Sequence, residues 1–341
     1  MRTSRDSCSA SLIASLAVVA FLLATPALGQ DCPELVGSLP GFPWDLAVSG
    51  GYAYVADYDG ALDVVDVSTP SAPVEVGSLE IGGRLYEIAV SGGFAYVTSG
   101  LGLHFIDVSS PSAPVEVAFL SGVSGGSVAV SSNYVYLAGG GLYVIDPTVP
   151  VVVGFLDPPG HELDVAVAGS YAYLMSASTI PFVPGRLGVI DVSTPSNPVE
   201  VGSVEGPGRN DVAVSGGYAY VTKEHKGTPS YLAVIDVNNP SAPVEMGYLP
   251  LYDAQDVAVS GHYAYVADGD GLRVADVSTP SAPVEVGFYP TGEYYATGVA
   301  VSDGYVFLAA STAGLYVFRE CSFFSDGFES GDTSAWSATV P

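Results

Sequence analysis

The chain has 341 residues, 48% of them hydrophobic and 13% charged, with 9 Lys and Arg against 36 Asp and Glu and a formal net charge of −27. That apolar content excludes global disorder and allows one large all-β domain or two ordinary ones. The acidic balance excludes nucleic acid and anionic lipid as partners, because such a surface repels both.

At the N-terminus, Arg2 and Arg5 precede an apolar run from Ile13 to Ala24, and Ala27-Leu28-Gly29 offers small residues for cleavage before Gln30. Residues 1–29 therefore read as a secretory signal. A retained anchor is the rival reading, but a run of about a dozen residues is shorter than the ~20 that span a bilayer. Cys32 follows Gly29-Gln30-Asp31, which is not a lipoprotein-type small-residue box. Cleavage removes Arg2, Arg5 and Asp6 and leaves seven basic against 35 acidic side chains, a net charge of −28. The expectation is an exported protein, secreted or cell-surface associated, with no membrane insertion once the signal is gone.

From residue 30 the chain repeats itself. "DVSTPSAPVEVG" stands at Asp66–Gly77 and again at Asp276–Gly287, and its near copies begin at Asp107, Asp146, Asp191 and Asp236, at spacings of 39 to 45. A period near forty suits propeller blades or helical repeats. Val, Tyr, Ile and Thr with recurrent Gly and Pro are strand and turn chemistry, which excludes the helical option.

In the first unit, "DLAVS" (Asp45–Ser49) and "YAYVA" (Tyr52–Ala56) flank Gly50-Gly51, a link suited to a tight hairpin with Ala47 opposite Tyr54 and Val48 opposite Ala53. "LDVVDVS" (Leu62–Ser68) follows the Asp59-Gly60 turn. Pro70 and Pro73 then break the chain before a fourth strand, "VEVGSL" (Val74–Leu79). Apolar groups on both faces indicate a sheet sandwiched between neighbours, with the repeated Tyr-Ala-Tyr packing between them. The same hairpin recurs at Glu87–Thr98, Ser127–Ala138, Asp164–Met175, Asp211–Thr222, Asp256–Ala267 and Gly298–Ala309, making seven units.

The ends decide between a stack and a ring. "PELVGSL" (Pro33–Leu39) matches only a fourth strand, and "GLYVFRE" (Gly314–Glu320) is a third strand with no fourth after it. One spare strand and one missing strand predict a closed seven-bladed β-propeller, all-β, over residues 30–321, its last four-stranded antiparallel blade completed by the N-terminal strand. An open solenoid would expose both edges.

"LDVVD", "LYVID", "LGVID" and "LAVID", ending at Asp66, Asp146, Asp191 and Asp236, resemble the LVIVD repeat of exported or surface-associated bacterial and archaeal proteins, which implies the same propeller fold. The resemblance runs from Val36 to about Glu320. "DPTVPVVVG" in the third unit and Arg319 in the seventh depart from it. It implies no catalytic residues, since the motif is architectural. Beyond Cys321, "DGFESGDTSAWS" (Asp326–Ser337) breaks the period. Residues 322–341 read either as a sorting or attachment tag, which they resemble, or as a disordered tail. The same letters also match the truncated first strand of a lectin-like domain, but twenty residues form no core alone.

Enzyme templates fail. There is no Gly-x-Ser-x-Gly elbow and no phosphate-binding Gly-x-x-x-x-Gly-Lys, and His161-Glu162 lacks a second zincin histidine. The four histidines, His104, His161, His225 and His262, fall in different units without ligand spacing and read as surface or turn residues. Asp57-Tyr58-Asp59-Gly60 and Asp268-Gly269-Asp270-Gly271 carry alternate carboxylates, yet hairpin chemistry accounts for them without calcium. No catalytic residue is assigned.

The informative contrast lies between loops. The first-to-second and third-to-fourth links share one face of a propeller and are monotonous here, "SGG" and "STPSAP". The links on the other face vary: Met175–Gly188, Thr222–Ala233 and Tyr289–Gly298 differ in length and chemistry. Variable loops on a rigid scaffold suit binding. Arg84, Arg186, Arg209, Lys223 and Lys226 fall among them, with Trp44, Tyr86, His161, Tyr252, Tyr294 and Tyr295. Aromatics with a few charges suit a protein or glycan at the cell surface. The bland alternative is that longer loops simply accept polar residues.

Two further expectations follow from alignment. Cys32 aligns with Ala72 and Cys321 with Ser68, sites flanking one turn, which predicts a Cys32–Cys321 disulfide. The residues opening the innermost strands are Asp45, Glu87, Ser127, Asp164, Asp211, Asp256 and Gly298, so Asp45, Glu87, Asp164, Asp211 and Asp256 should ring the channel mouth. These acids either accept backbone N–H bonds from the preceding loops, with Arg84 and Arg209 pairing with Glu87 and Asp211, or they hold calcium, the one cofactor the sequence admits. The function favoured is a non-catalytic exported scaffold binding through the variable face. The alternatives are a metal-assisted hydrolase or lyase at the channel mouth and a self-associating structural surface protein.

Overall fold

The computed structural model describes residues 32–321 apart from 124–125, 132, 178–184, 207–210, 226–227 and 293, with the backbone alone at 162–163, 224–225 and 228–229. The expected signal and tail lie outside the described residues. The chain forms seven four-stranded antiparallel sheets, each built from strands consecutive in sequence except the last. In that sheet the order is Glu34–Leu39, Leu315–Arg319, Tyr305–Ala309, Gly298–Ser302, so the N-terminal strand is the outer strand of blade 7. Among the described residues the one helical turn is the 3-10 segment Ser311–Ala313.

Blade 1 shows why the phrase repeats. Gly50 and Gly51, at φ 60° and 81°, turn Pro43–Ser49 into Tyr52–Asp57, pairing Ala47 with Tyr54 and Val48 with Ala53 as the sequence predicts. Ala61–Asp66 follows, and Asp66 Oδ1 accepts from Ser68 N at 2.9 Å to start the next turn. Ala72 N donates to Thr69 O within that turn, and Val74–Glu80 runs back as the outer strand. Its register slips between Gly77 and Glu75, bulging Val76.

Each seam between blades is one apolar cluster. Tyr54, Leu62 and Val64 of blade 1 pack on Leu85, Val97 and Ile106 of blade 2, and the pattern repeats around the ring. It closes where Leu46, Val55 and Val65 meet Phe307, Leu315 and Val317 of blade 7. The buried tyrosines of the Tyr-Ala-Tyr units lie in these seams, as expected.

A second contact recurs at the periphery. The turn between the third and fourth strands of a blade lays a backbone carbonyl against a glycine in the outer strand of the blade before it. Pro70 O meets Gly37, Pro111 O meets Gly77, Pro195 O meets Gly154, Pro240 O meets Gly202, Pro280 O meets Gly247, and Cys32 O meets Gly287. A Cβ on these glycines would sit 2.0 to 2.8 Å from the carbonyl oxygen. Glycine is required there by the neighbour's backbone. Cys32 joins Cys321 across a Cα separation of 5.6 Å, bridging the one turn that the chain does not run through.

Candidate functional site

Two features meet at the channel mouth on the variable face. The first is a belt of acids on the innermost strands. Asp45, Asp164 and Asp256 follow register slips at Pro43/Asp45, Glu162/Asp164 and Ala254/Asp256, and Glu87 lies within the slip at Leu85/Ile88. A bulge re-aims the side chain beside it, here toward the axis. Several of these strands begin before the acid, at Pro43, Leu85, His161 and Ala254, so the acids do not open them as the sequence suggested.

Each acid reaches the next blade. Asp45 Oδ2 accepts from Ile88 N at 2.9 Å, Asp164 Oδ2 from Val212 N at 2.5 Å, Asp211 Oδ2 from Val257 N at 2.9 Å, and Asp256 Oδ2 from Val299 N at 2.5 Å. Between blades 2 and 4, Ser127 Oγ donates to Glu87 Oε1 and accepts from Val165 N, both at 3.1 Å. At the last seam Gly298 replaces the acid, because a Cβ there would lie 2.9 Å from Asp45 Oδ1. The donors are thus neighbouring strands and not the preceding loops, a correction that turns five separate acids into a circumferential belt.

Burial pushes the Asp45 carboxyl up to about 8, and the nearby charge of Asp256 adds to this. Burial also raises Glu87, with Asp164 and Asp45 contributing, and raises Asp211, with Asp164 and Asp256 contributing. Asp256 is raised by burial and held back by a hydrogen bond with Asp211 and by the Val299 N–H. Among the described residues no three His, Cys, Asp or Glu side chains converge as metal ligands. Each aspartate of the belt commits its Oδ2 to an inter-blade bond, which gives these acids a structural role.

The second feature is aromatic. Arg84 does not pair with Glu87. Its guanidinium lies 4.2 Å from the Trp44 ring centroid, 4.7 Å from that of Tyr58 and 5.7 Å from that of Tyr86. Trp44 and Tyr58 tilt against each other at 5.6 Å. Trp44 and Tyr86 also line a cavity of about 390 Å³ whose floor is the acidic belt. Sequence reasoning found Trp44, Arg84 and Tyr86 but missed Tyr58, which sits 49% exposed in a turn read only for its aspartates.

The other expected binding residues scatter. Tyr252, Tyr294 and Tyr295 are exposed at the links into blades 6 and 7, and Tyr295 closes with Asp253 on the Gly269 position. His161 is exposed on the inner strand of blade 4. Arg186 opens a strand instead of lying in a loop, and its guanidinium is ion-paired with Glu200 on the next strand. Lys223 likewise lies on a strand, 4.4 Å from the Tyr231 ring centroid, with burial lowering its ammonium and Glu245 opposing. These strands run further toward the variable face than the loop lengths implied. Arg209 and Lys226 lie outside the described residues.

His104 departs from its sequence reading. It is buried in the third strand of blade 2, with Nε2 2.8 Å from Ser99 Oγ and Nδ1 2.8 Å from Glu116 Oε1, and it packs on Phe119. The order Ser–His–Glu matches a nucleophilic triad. Ser99 is only 1% exposed and its Oγ accepts from Leu101 N, so the group ties the strands of blade 2 together. The acidic turn at Asp268 and Asp270 is likewise structural, since Arg273 supplies the cation to both carboxylates.

The LVIVD repeat model matches six times, at residues 40–80, 82–119, 124–156, 159–206, 209–249 and 253–291. The chain belongs to the LVIVD-repeat family. Solved structures place this LVIVD protein among propellers at large. The Pan2 WD40 domain of Neurospora crassa is 15% identical, with a TM-score of 0.65 over 84% of this chain and 95% of its own. A computationally designed protein, Ika8, is 14% identical, with a TM-score of 0.61 over 84% and 99%. BamB from Moraxella catarrhalis is 16% identical, with a TM-score of 0.55 over 84% and 83%. At these identities the likeness shows the fold alone. No curated protein matches the chain. Among the described residues no helix is long and apolar enough to cross a membrane.

Proposed function

We propose that this LVIVD propeller is an exported, non-catalytic scaffold that binds a protein or glycan at the cell surface through its variable face. The observation that carries the reading is the Arg84 guanidinium held among Trp44, Tyr58 and Tyr86 at the rim of the channel cavity. A pre-packed cation among partly exposed rings offers flat apolar faces and a fixed donor with little conformational entropy left to lose on binding. The excess of acid and the apolar N-terminal run support export and a partner other than nucleic acid.

The test is a glycan and protein array probed with the signal-free protein, with and without calcium, beside Trp44→Ala and Arg84→Ala. The expected result is a discrete set of bound species whose signal falls at least tenfold in both variants. Binding that persists unchanged in both variants moves the site elsewhere and overturns the reading.

A further inference from the structure

Six seams of the propeller are closed at the periphery by a turn carbonyl on a glycine. The seam between blades 2 and 3 is built differently on both sides. In blade 3 the outer strand re-pairs at Val151, five positions after Asp146, whereas in blade 1 it re-pairs at Val74, eight positions after Asp66. The turn is three residues shorter, and Pro147-Thr148-Val149-Pro150 replaces the segment that carries Pro-Ser-Ala-Pro in blades 1, 2, 5 and 6 and Pro-Ser-Asn-Pro in blade 4. On the facing strand of blade 2, Ala118 stands where the other blades have glycine. The two departures fit each other, because a shortened turn brings no carbonyl to the position where a Cβ would collide.

What remains is a cleft of about 990 Å³ on the face opposite the variable loops. Phe94, Tyr96, Phe105 and Tyr134 line it, with the carboxylates of Asp107 and Asp146 at its edge. Phe94 is 37% exposed, and Val117 beside Ala118 is 54% exposed. The hydroxyl and then the backbone N–H of Ser109 hold the Asp107 carboxyl below the usual range, and those of Thr148 do the same for Asp146, so both are charged; the N–H bonds measure 2.9 and 2.8 Å. No Lys or Arg is among the residues lining the cleft.

The occupant can be specified from what fills the same space elsewhere in the ring. At the seams of blades 1, 2, 4, 5 and 6 it is a tight proline-bearing turn of this chain, closed by an i to i+3 backbone bond such as Ala72 N to Thr69 O and pressed on the previous outer strand. An apolar, aromatic-lined cleft suits such a turn, because its prolines fix φ and leave little chain entropy to lose on docking. The two uncompensated carboxylates add a preference for positive charge. We propose that the blade 2–3 cleft is a docking site for a proline-bearing turn of a partner protein that carries a lysine or arginine beside its prolines.

The probe is a fluorescein-labelled peptide, Lys-Ser-Thr-Pro-Ser-Ala-Pro-Val-Lys, titrated by anisotropy against the disulfide-intact protein. Saturable binding is expected. It should weaken at least tenfold when both prolines of the peptide become alanine, and it should weaken as salt rises from about 0.05 to about 0.5 M. A turn-restored variant, with residues 147–150 replaced by the sequence of residues 67–73 and Ala118→Gly, should fill the cleft from within and lose binding at least tenfold. Phe94→Ala provides the same readout should that graft fail to fold, with the same tenfold loss expected. Absence of saturation overturns the proposal, as does affinity unchanged in both variants. Concentration-dependent self-association of the parent, abolished by the graft, would make a second copy's turn the occupant and would equally overturn it.

Discussion

Asp57 in blade 1 and Asp268 in blade 6 occupy equivalent places in one acidic turn and meet opposite neighbours. Asp268 accepts from Tyr252 N, Asp253 N and Arg273 Nε, so its charge is fully matched. The place of Arg273 is taken in blade 1 by Asp63, and burial together with the charges of Asp63 and Asp59 pushes the Asp57 carboxyl up to about 7. A carboxyl with a raised folded pKa binds its proton more tightly in the native state. Stability from Asp57 is therefore greatest below the unfolded value near 4 and is lost as pH rises through about 7. Asp57→Asn should stabilise at pH 8, by on the order of 1 kcal/mol after solvent screening of this half-buried group, and the gain should vanish near pH 4. Thermal melts of parent and variant across that range would show it; a constant offset would assign the effect to packing. None of this was legible in sequence, because the decisive neighbour lies on another strand and differs between otherwise matching blades. Trp44, Arg84 and Tyr86 were legible as a group, since they stand at the inner ends of adjacent blades. Their contact with one another was not.

The strands themselves were readable almost to the residue. Short runs of β-branched and aromatic residues apolar on both faces, glycines at the hairpin turns, and prolines that cannot join a ladder each fix a local choice, and the repetition of the unit makes the choices unambiguous. Bulges were not readable, as the slips at Asp45, Asp164 and Asp256 have no counterpart among the described residues in the matching strands of blades 3, 5 and 7, whose sequences follow the same pattern. The outer strand gives an element-level prediction with a built-in control. Gly77→Ala places a Cβ 2.3 Å from Pro111 O, a backbone collision that flexible side chains cannot relieve. It should cost about 2–4 kcal/mol. Ala118→Gly, at the matching site of blade 2, meets no such carbonyl and should cost less than about 1 kcal/mol. Chemical denaturation of the two variants compares them directly, and equal losses would remove the carbonyl contact as the reason glycine occupies these sites.

At the scale of the whole ring, ends that match a fourth and a third strand foretold closure, and the structure joins them in one sheet. Seven apolar seams run round the ring, and the disulfide pins the outer strand of blade 7 to the third strand of the same blade. Cys32 and Cys321 enclose a loop of 289 positions, and fixing so long a loop in the unfolded chain is worth on the order of 5 kcal/mol as an upper limit. Cys32→Ser with Cys321→Ser should lower the melting temperature by several degrees and expose the outer strand Glu34–Leu39 to amide exchange before any other strand. Uniform exchange across the blades would place the weak point elsewhere. The bond also changes what tension does to the molecule. A pull applied between the chain's two ends enters at Cys32 and leaves at Cys321, crossing 5.6 Å of covalent linkage without loading a single strand. A protein anchored at one end and tugged at the other would thus transmit force as a short inextensible link, its blades idle, until a reductant cuts the sulfurs and lets the ring unzip from its first strand.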